Sequence, residues 1–193
     1  MKAIAVFCGS SSGNNGNYRS EAHRLGQILA KKNIRLIYGG AKIGIMGAVA
    51  EGVLSEGGKA IGVLPRFLQS KEIAHDKLTQ LILVDNMHER KTRMHEMSDG
   101  VIALPGGFGT MEELFEMLTW AQLGLHQKPI GVLNIDGFYD PLVSLLENMV
   151  DKGLLKQKNR EMLLIDNHIE TLLQRMDNYV APHVPKWIDE KNT

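Results

Sequence analysis

Two side chains of this chain have neighbours that suggest chemistry, Glu113 and Arg90. Glu113 closes the run Pro105-Gly106-Gly107-Phe108-Gly109-Thr110-Met111-Glu112-Glu113, directly after the apolar Val101-Ile102-Ala103-Leu104. The run reads as a buried strand, a glycine turn and a helix start. Such a junction turns backbone N–H groups toward an anion, because glycine adds no Cβ and a helix N-terminus carries partial positive charge. A carboxylate beside a phosphate nest repels the ligand unless it acts on another part of it. A nucleotide offers its ribose. The same residues also form a Thr-x-x-Glu capping box, with Thr110 as N-cap and Glu113 reaching back to its backbone N–H. Capping does not require Gly106, Gly107 and Gly109, and on this pattern both roles stay open.

Arg90 is singled out by helical geometry. Met87, Arg90, Met94 and Met97 recur at intervals of three and four, which is one helix face. Arg90 interrupts that apolar stripe, either snorkelling to water from its edge or pointing inward toward an anionic partner. Lys91 points about a quarter turn away, toward the ligand edge or solvent. Glu89 and Arg93 stand four apart and read as an exposed pair of little energetic consequence. The seven histidines show no metal-ligand spacing; His88 and His95 share a face without a third ligand, and each histidine reads as a satisfied surface residue. No metal is expected. Cys8 ends the first apolar run and reads as a small buried residue rather than a nucleophile. The ten methionines read as core filler.

The pattern Pro-Gly-Gly-x-Gly-Thr-x-x-Glu is preceded by Met87-His88-Glu89-Arg90-Lys91. It is accompanied by Tyr38-Gly39-Gly40, Gly44-Ile45-Met46-Gly47 and Trp120-Ala121-Gln122-Leu123-Gly124. In order and separation these motifs resemble the Lonely Guy family of cytokinin riboside 5′-monophosphate phosphoribohydrolases, from Ile4 to about Gly153. The resemblance implies hydrolysis of the N-glycosidic bond of purine nucleoside 5′-monophosphates, with Arg90 and Glu113 as the catalytic pair. It implies a substrate site lined by Glu72, Lys91 and Thr119 and by Gly106, Gly107, Phe108, Gly109, Thr110, Met111 and Glu112. It also implies a homodimer, and a base that in the family is commonly an N6-isoprenylated adenine. Phe108 stands where relatives often carry tyrosine. Read from the residues, phosphate falls to the backbone of Gly106, Gly107, Gly109 and Thr110, with Gly9 and Ser10 on one turn and Gly40 and Gly47 on another completing the pocket. Glu72 reads from the residues only as an exposed charge in the loop 65–75.

Other chemistries fit the residues less well. The fingerprint Gly-x-Gly-x-x-Gly is absent from all three glycine-rich turns, and no loop ends in Gly-Lys-Ser/Thr. Members of the family often carry a lysine decarboxylase label, which would require a pyridoxal phosphate Schiff base on a desolvated lysine. Lys42 and Lys91 lie near the turns, but nothing supplies a pyridinium partner, and no cofactor is expected. The competing class is a non-catalytic nucleotide-binding or sensor module on the same scaffold. Glu113 and Arg90 discriminate, since binding alone gains nothing from a carboxylate beside phosphate.

These groups need a scaffold, and the apolar pattern predicts one. Runs at 4–7, 34–38, 60–64, 81–84, 101–104 and 130–133, with a weaker one at 162–165, are continuous rather than alternating, as in strands covered on both faces. Helical stretches are predicted between them at 18–32, 46–56, 87–98, 112–123, 141–152 and 168–179, with Asp140 as an N-cap before Pro141 and Gly153 as a stop. The alternation predicts an α/β fold, a doubly wound parallel sheet of Rossmann-like type with helices on both faces. The glycine turns at 9–16, 39–47 and 106–109 then share the carboxyl edge, where such sheets bind ligands.

The 193-residue length predicts one nucleotide-binding catalytic domain over 1–180 and a tail over 181–193, whose Trp187 docks on the body or a partner, or is disordered. Twenty-two basic and twenty-two acidic residues balance, which argues against reliance on nucleic acid or an anionic membrane as partner. One cysteine, no signal-peptide pattern and no apolar run of spanning length predict a cytoplasmic protein.

Overall fold

Each predicted apolar run becomes a strand in the computed structural model, which describes residues 1–69 and 74–182. The strands are β1 (Ala3–Phe7), β2 (Arg35–Tyr38), β3 (Ala60–Pro65), β4 (Gln80–Val84), β5 (Gly100–Ala103), β6 (Ile130–Leu133) and β7 (Leu163–Asp166). All neighbouring pairs are parallel, in the order β4-β3-β2-β1-β5-β6-β7. Between them run α1 (Gly16–Lys31), α2 (Gly44–Ser55), α3 (Met87–Glu96), α4 (Phe108–Gln122), α5 (Asp140–Asp151), the short α6 (Gln157–Arg160) and α7 (Ile169–Asp177).

Burial follows the pleat. Ile4 and Val6 of β1 join Leu25 and Leu29 of α1, Val49 of α2 and Leu172 of α7 in one core layer. Ala5 and Phe7 face the other way, toward Met94 of α3, Leu114 and Met117 of α4 and Leu146 of α5. Helices on both faces account for the continuous apolar runs. The chain winds outward from β1 through β4, then returns to lay β5 on the other side of β1. That reversal opens a crevice at the carboxyl ends of β1 and β5.

Three local expectations are corrected. Helix α4 begins at Phe108 with Gly107 as N-cap, so Thr110 lies inside the first turn and the Thr110–Glu113 capping box does not form. At α3 the N-cap Asn86 Oδ1 accepts from the Glu89 N–H at 2.9 Å, and Glu89 Oε2 reaches one residue past the cap to accept from the Asp85 N–H at 2.8 Å. That reach takes Glu89 away from Arg93, which pairs with Glu96 at 3.4 Å, so the Glu89–Arg93 pair is absent. Helix α5 takes Tyr139, not Asp140, as N-cap. The Asp140 carboxylate instead accepts from Asn134 Nδ2 at 2.8 Å.

Candidate active site

The turn after β5 is built by close backbone approach. A Cβ on Gly106 would run into the Thr110 hydroxyl and would come within 2.9 Å of the Gly9 nitrogen, so only glycine lets the first and third turns close on each other. The Gly9 N–H donates to the Pro105 carbonyl at 3.1 Å across that junction. From beneath, Tyr139, fully buried, donates its hydroxyl to the Leu104 carbonyl at 2.7 Å and fixes the end of β5.

Above this base, α4 starts without a side-chain cap, and no acidic residue lies in its first turn. The first intrahelical bond at this end is Met111 N–H to the Gly107 carbonyl, 3.1 Å. The N–H groups of Phe108, Gly109 and Thr110 therefore have no helical acceptor. An added Cβ on Gly107 or Gly109 would meet no atom of the described residues within 4 Å, so the backbone at this helix end is approachable. This helix end can take an anion such as a phosphate.

The second turn differs. The N–H groups of Ile45 and Met46 at the start of α2 are taken by the Gly9 carbonyl at 3.1 and 3.2 Å. Gly47 N–H bonds the Ile43 carbonyl at 3.0 Å, and a Cβ there would collide with the Lys42 carbonyl. Gly40 has φ +87° and its carbonyl accepts from His75 N–H at 3.0 Å. In this structure Gly40 and Gly47 shape the turn and hold it against the loop of Gly9 and Ser10. The N–H groups of Gly9, Ile45, Met46 and Gly47 are thus taken, whereas those at the start of α4 are not.

Arg90 and Glu113 are both buried, 5% and 6% exposed, and close enough for the Arg90 charge to act on the Glu113 carboxyl. Arg90 thus points inward from its methionine stripe. Its Nη1 contacts the Met87 sulfur at 3.8 Å, and its Nε is buried with no partner. It forms no ion pair with a carboxylate among the described residues. Thioether sulfur is a weak acceptor, so most of the guanidinium's donor capacity is unspent. Burial pushes the Glu113 carboxyl up to about 7, against the pull of Arg90, so near neutrality it exchanges a proton readily. Cys8 lies within the field of both; burial and Glu113 raise its thiol far above the usual range, so it is a neutral, apolar wall.

Lys91 is half-buried and bound to two carboxylates of α4, Glu112 at 2.5 Å and Glu116 at 3.0 Å. These bonds tie α3 to α4 and, outweighing burial, hold the amine above its ordinary range. Lys42 pairs with Asp76 at 3.1 Å. Both amines are thus engaged by carboxylates, whereas a Schiff base needs a free nucleophilic amine. Thr119 stands apart, three turns along α4 from Phe108, its hydroxyl donating to the Phe115 carbonyl at 2.7 Å. Met111 is half-buried, whereas Phe108 at the helix tip is 97% exposed. In the Trp120 segment, Ala121 is buried and Trp120 packs edge-on against His95 at 5.3 Å. Glu72 and Trp187 lie outside the described residues.

Two histidines differ from the surface role expected of them. His75 is 6% exposed, with Nδ1 accepting from the Lys77 N–H at 3.2 Å. His95 packs against His126 at 4.9 Å, its Nδ1 buried without a partner, and burial with Lys128 nearby lowers it to about 4. Their burial comes from tertiary packing, for which the local sequence carries no signal. Among the described residues no group of three or more His, Cys, Asp or Glu converges as metal ligands.

Residues 46–176 match a protein-family model described as "Possible lysine decarboxylase". The chain is 44% identical over 180 residues to a rice protein, probable cytokinin riboside 5′-monophosphate phosphoribohydrolase LOGL1, covering 93% of this chain and 81% of the relative. It is 42% identical over 183 residues to the Arabidopsis thaliana cytokinin riboside 5′-monophosphate phosphoribohydrolase LOG2, covering 95% and 86%. Among solved structures, that of TM1055 superposes with a TM-score of 0.72 at 24% identity, over 93% of this chain and all of the other. The molybdenum cofactor binding protein of Rippkaea orientalis gives 0.69 at 24% identity, over 92% and 96%. These two structures share the fold.

Proposed function

The chain belongs to the Lonely Guy family, and from that premise we propose that it hydrolyses the N-glycosidic bond of purine nucleoside 5′-monophosphates, releasing free base and ribose 5-phosphate. The observation that carries this reading is the buried Arg90 and Glu113, the charge of one acting on the other and neither in an ion pair among the described residues, with Glu113 on the helix whose N-terminal end is uncapped. The open N–H groups of Phe108, Gly109 and Thr110 take the 5′-phosphate. Gly106 and Gly107 bring the backbone close, and the Thr110 hydroxyl, seated against Gly106, assists. The ribose then lies between the phosphate and Glu113.

In the reaction the bond between C1′ and the base nitrogen breaks, and a water oxygen bonds C1′. The ribosyl centre becomes oxocarbenium-like, and the Glu113 carboxylate stabilises it and accepts the proton of the attacking water. The departing base nitrogen takes up a proton in exchange for the one Glu113 gains and later returns to solvent, so that one water supplies the hydroxyl on C1′ and the hydrogen on the base. Arg90, whose N–H donors meet only the Met87 sulfur among the described residues, orients the ribose or stabilises charge on the leaving side. The carboxyl's value of about 7 suits both holding and releasing a proton near neutral pH.

The substrates proposed are cytokinin riboside 5′-monophosphates, named for the relatives, and AMP. Residues 1–180 are proposed as one catalytic domain with 181–193 as a tail, and the free, buried Cys8 suits the reducing cytoplasm. A homodimer is proposed as the assembly, supported by the exposed Leu145 on α5 and Leu154 just beyond it. Light scattering tests the dimer. The decisive assay incubates the protein with AMP and with isopentenyladenosine 5′-monophosphate and follows free base by chromatography. Base is expected from at least one; none from any purine monophosphate would overturn the hydrolase reading in favour of a binding module.

A further inference from the structure

Arg90 reaches from α3 across the sheet edge to the end of β2, where it lies on Gly39. An ideal Cβ built on Gly39 would fall on the Arg90 guanidinium nitrogen and 3.3 Å from its central carbon, with the Met46 sulfur at 3.0 Å. Gly39 is buried and its φ is not in the left-handed region, so the backbone does not require glycine there. What requires it is the space that the guanidinium occupies.

We infer that Gly39 is a positioning residue for Arg90, its missing Cβ forming the slot that holds the guanidinium facing the cleavage site. The slot is walled by the Met46 and Met87 sulfurs, which hold the cation by contact and offer it no carboxylate. A strong acceptor in this position would tie up the fork of donors; the bare Cα and two thioethers leave it available to substrate. The inference rests on the proposed reaction for its catalytic consequence, though not for its geometry.

Gly39→Ala tests it. The obstacles to the new methyl are the far end of an arginine and a methionine sulfur, both of which can shift, so the variant folds and Arg90 moves. The expected result is a 10- to 100-fold fall in kcat with KM for AMP changed less than about threefold, because the α4 helix end is untouched. Glu113 supplies a second readout. Arg90 lowers its carboxyl, while Glu112 and Glu116 raise it and Lys91 lowers it from positions the substitution leaves alone. Displacing Arg90 should therefore raise the Glu113 titration midpoint, followed by carboxyl carbon-13 NMR in labelled protein.

The decisive comparison is Gly39→Ala in an Arg90→Ala background. With no guanidinium to displace, the second change should leave kcat, the Glu113 midpoint and the melting temperature where Arg90→Ala put them. Equal losses from Gly39→Ala in both backgrounds would overturn the inference and make Gly39 a packing residue. A Glu113 midpoint unmoved in Gly39→Ala would also overturn it. Should the wild-type protein release no base, the hydrolase reading fails, and the NMR titration still decides the positioning of Arg90.

Discussion

Glu113 is held at a cost to the fold, and that makes its role separable from its neighbours'. The carboxyl is raised from 4.5 to about 7 by burial. A folded-state value above the unfolded one means that the native state binds the extra proton, so the contribution of Glu113 to stability is full below about pH 4.5 and is lost as pH rises through 7. The full shift corresponds to up to about 3 kcal/mol. Glu113→Gln should thus melt higher than wild type at pH 8, with the gap closing by about pH 4.5 in calorimetry, while turnover falls at least ~10²-fold. Near wild-type turnover in the folded variant would remove Glu113 from the chemistry. Arg90 gives a complementary test by shape. Arg90→Lys keeps charge but loses the planar fork, so its kcat should fall nearly as far as that of Arg90→Ala. Comparing AMP with adenosine in both variants separates a phosphate contact from a ribose or base contact: only the former makes the loss depend on the 5′-phosphate.

The glycine turn is where one element passes its ligand to the next, and its glycines are unlike one another. A methyl on Gly107 meets no atom of the described residues within 4 Å and enters the space before the helix end. Gly107→Ala should raise KM for nucleotide several-fold with the melting temperature nearly unchanged. Gly106→Ala drives its methyl into Thr110 and toward the Gly9 nitrogen, and should lower the melting temperature markedly. Thermal denaturation beside steady-state kinetics distinguishes the two, and a stable Gly106→Ala would contradict the close approach described. This level was also unevenly legible in the sequence. Continuous apolar runs mark all seven strands, because a sheet covered on both faces leaves no polar alternation to confuse the pattern. The sequence does not mark the start of α4, since its cap is a glycine with no side chain to announce it, whereas Thr110 and Glu113 imitate a cap three residues later. The spacing of Arg90 puts it on the methionine stripe but leaves snorkelling and inward orientations both open, and only its burial decides between them. Its seat on Gly39 is not legible either, because fifty-one positions and two strands separate the pair, and no local pattern reports so distant a contact.

For the molecule as a whole, acid pulls in two directions. Protonating Glu113 relieves a buried charge, whereas His95, held at about 4 by burial and by Lys128, resists the proton that the unfolded chain accepts near 6.5. Its contribution is present above that value and lost as pH falls toward 4. His95→Phe keeps an aromatic ring against Trp120, and its Nδ1 has no partner to forfeit. The variant should lose less stability than wild type between pH 6.5 and 4.5, followed by denaturant midpoints; an identical acid profile would clear His95 of the effect. The uncapped start of α4 has a consequence of another kind. A helix end left bare couples the ligand to the melting of the whole chain, since any anion bound there favours the native state by mass action. Inorganic phosphate at a hundred times its dissociation constant would add about 2.7 kcal/mol. Ribose 5-phosphate carries the same group, so the product of the proposed reaction is also a stabiliser of the enzyme and a competitor for its phosphate seat. The rising melting temperature and the falling rate should follow one binding curve, making this protein hardest to unfold when its product has accumulated and its turnover is slowest.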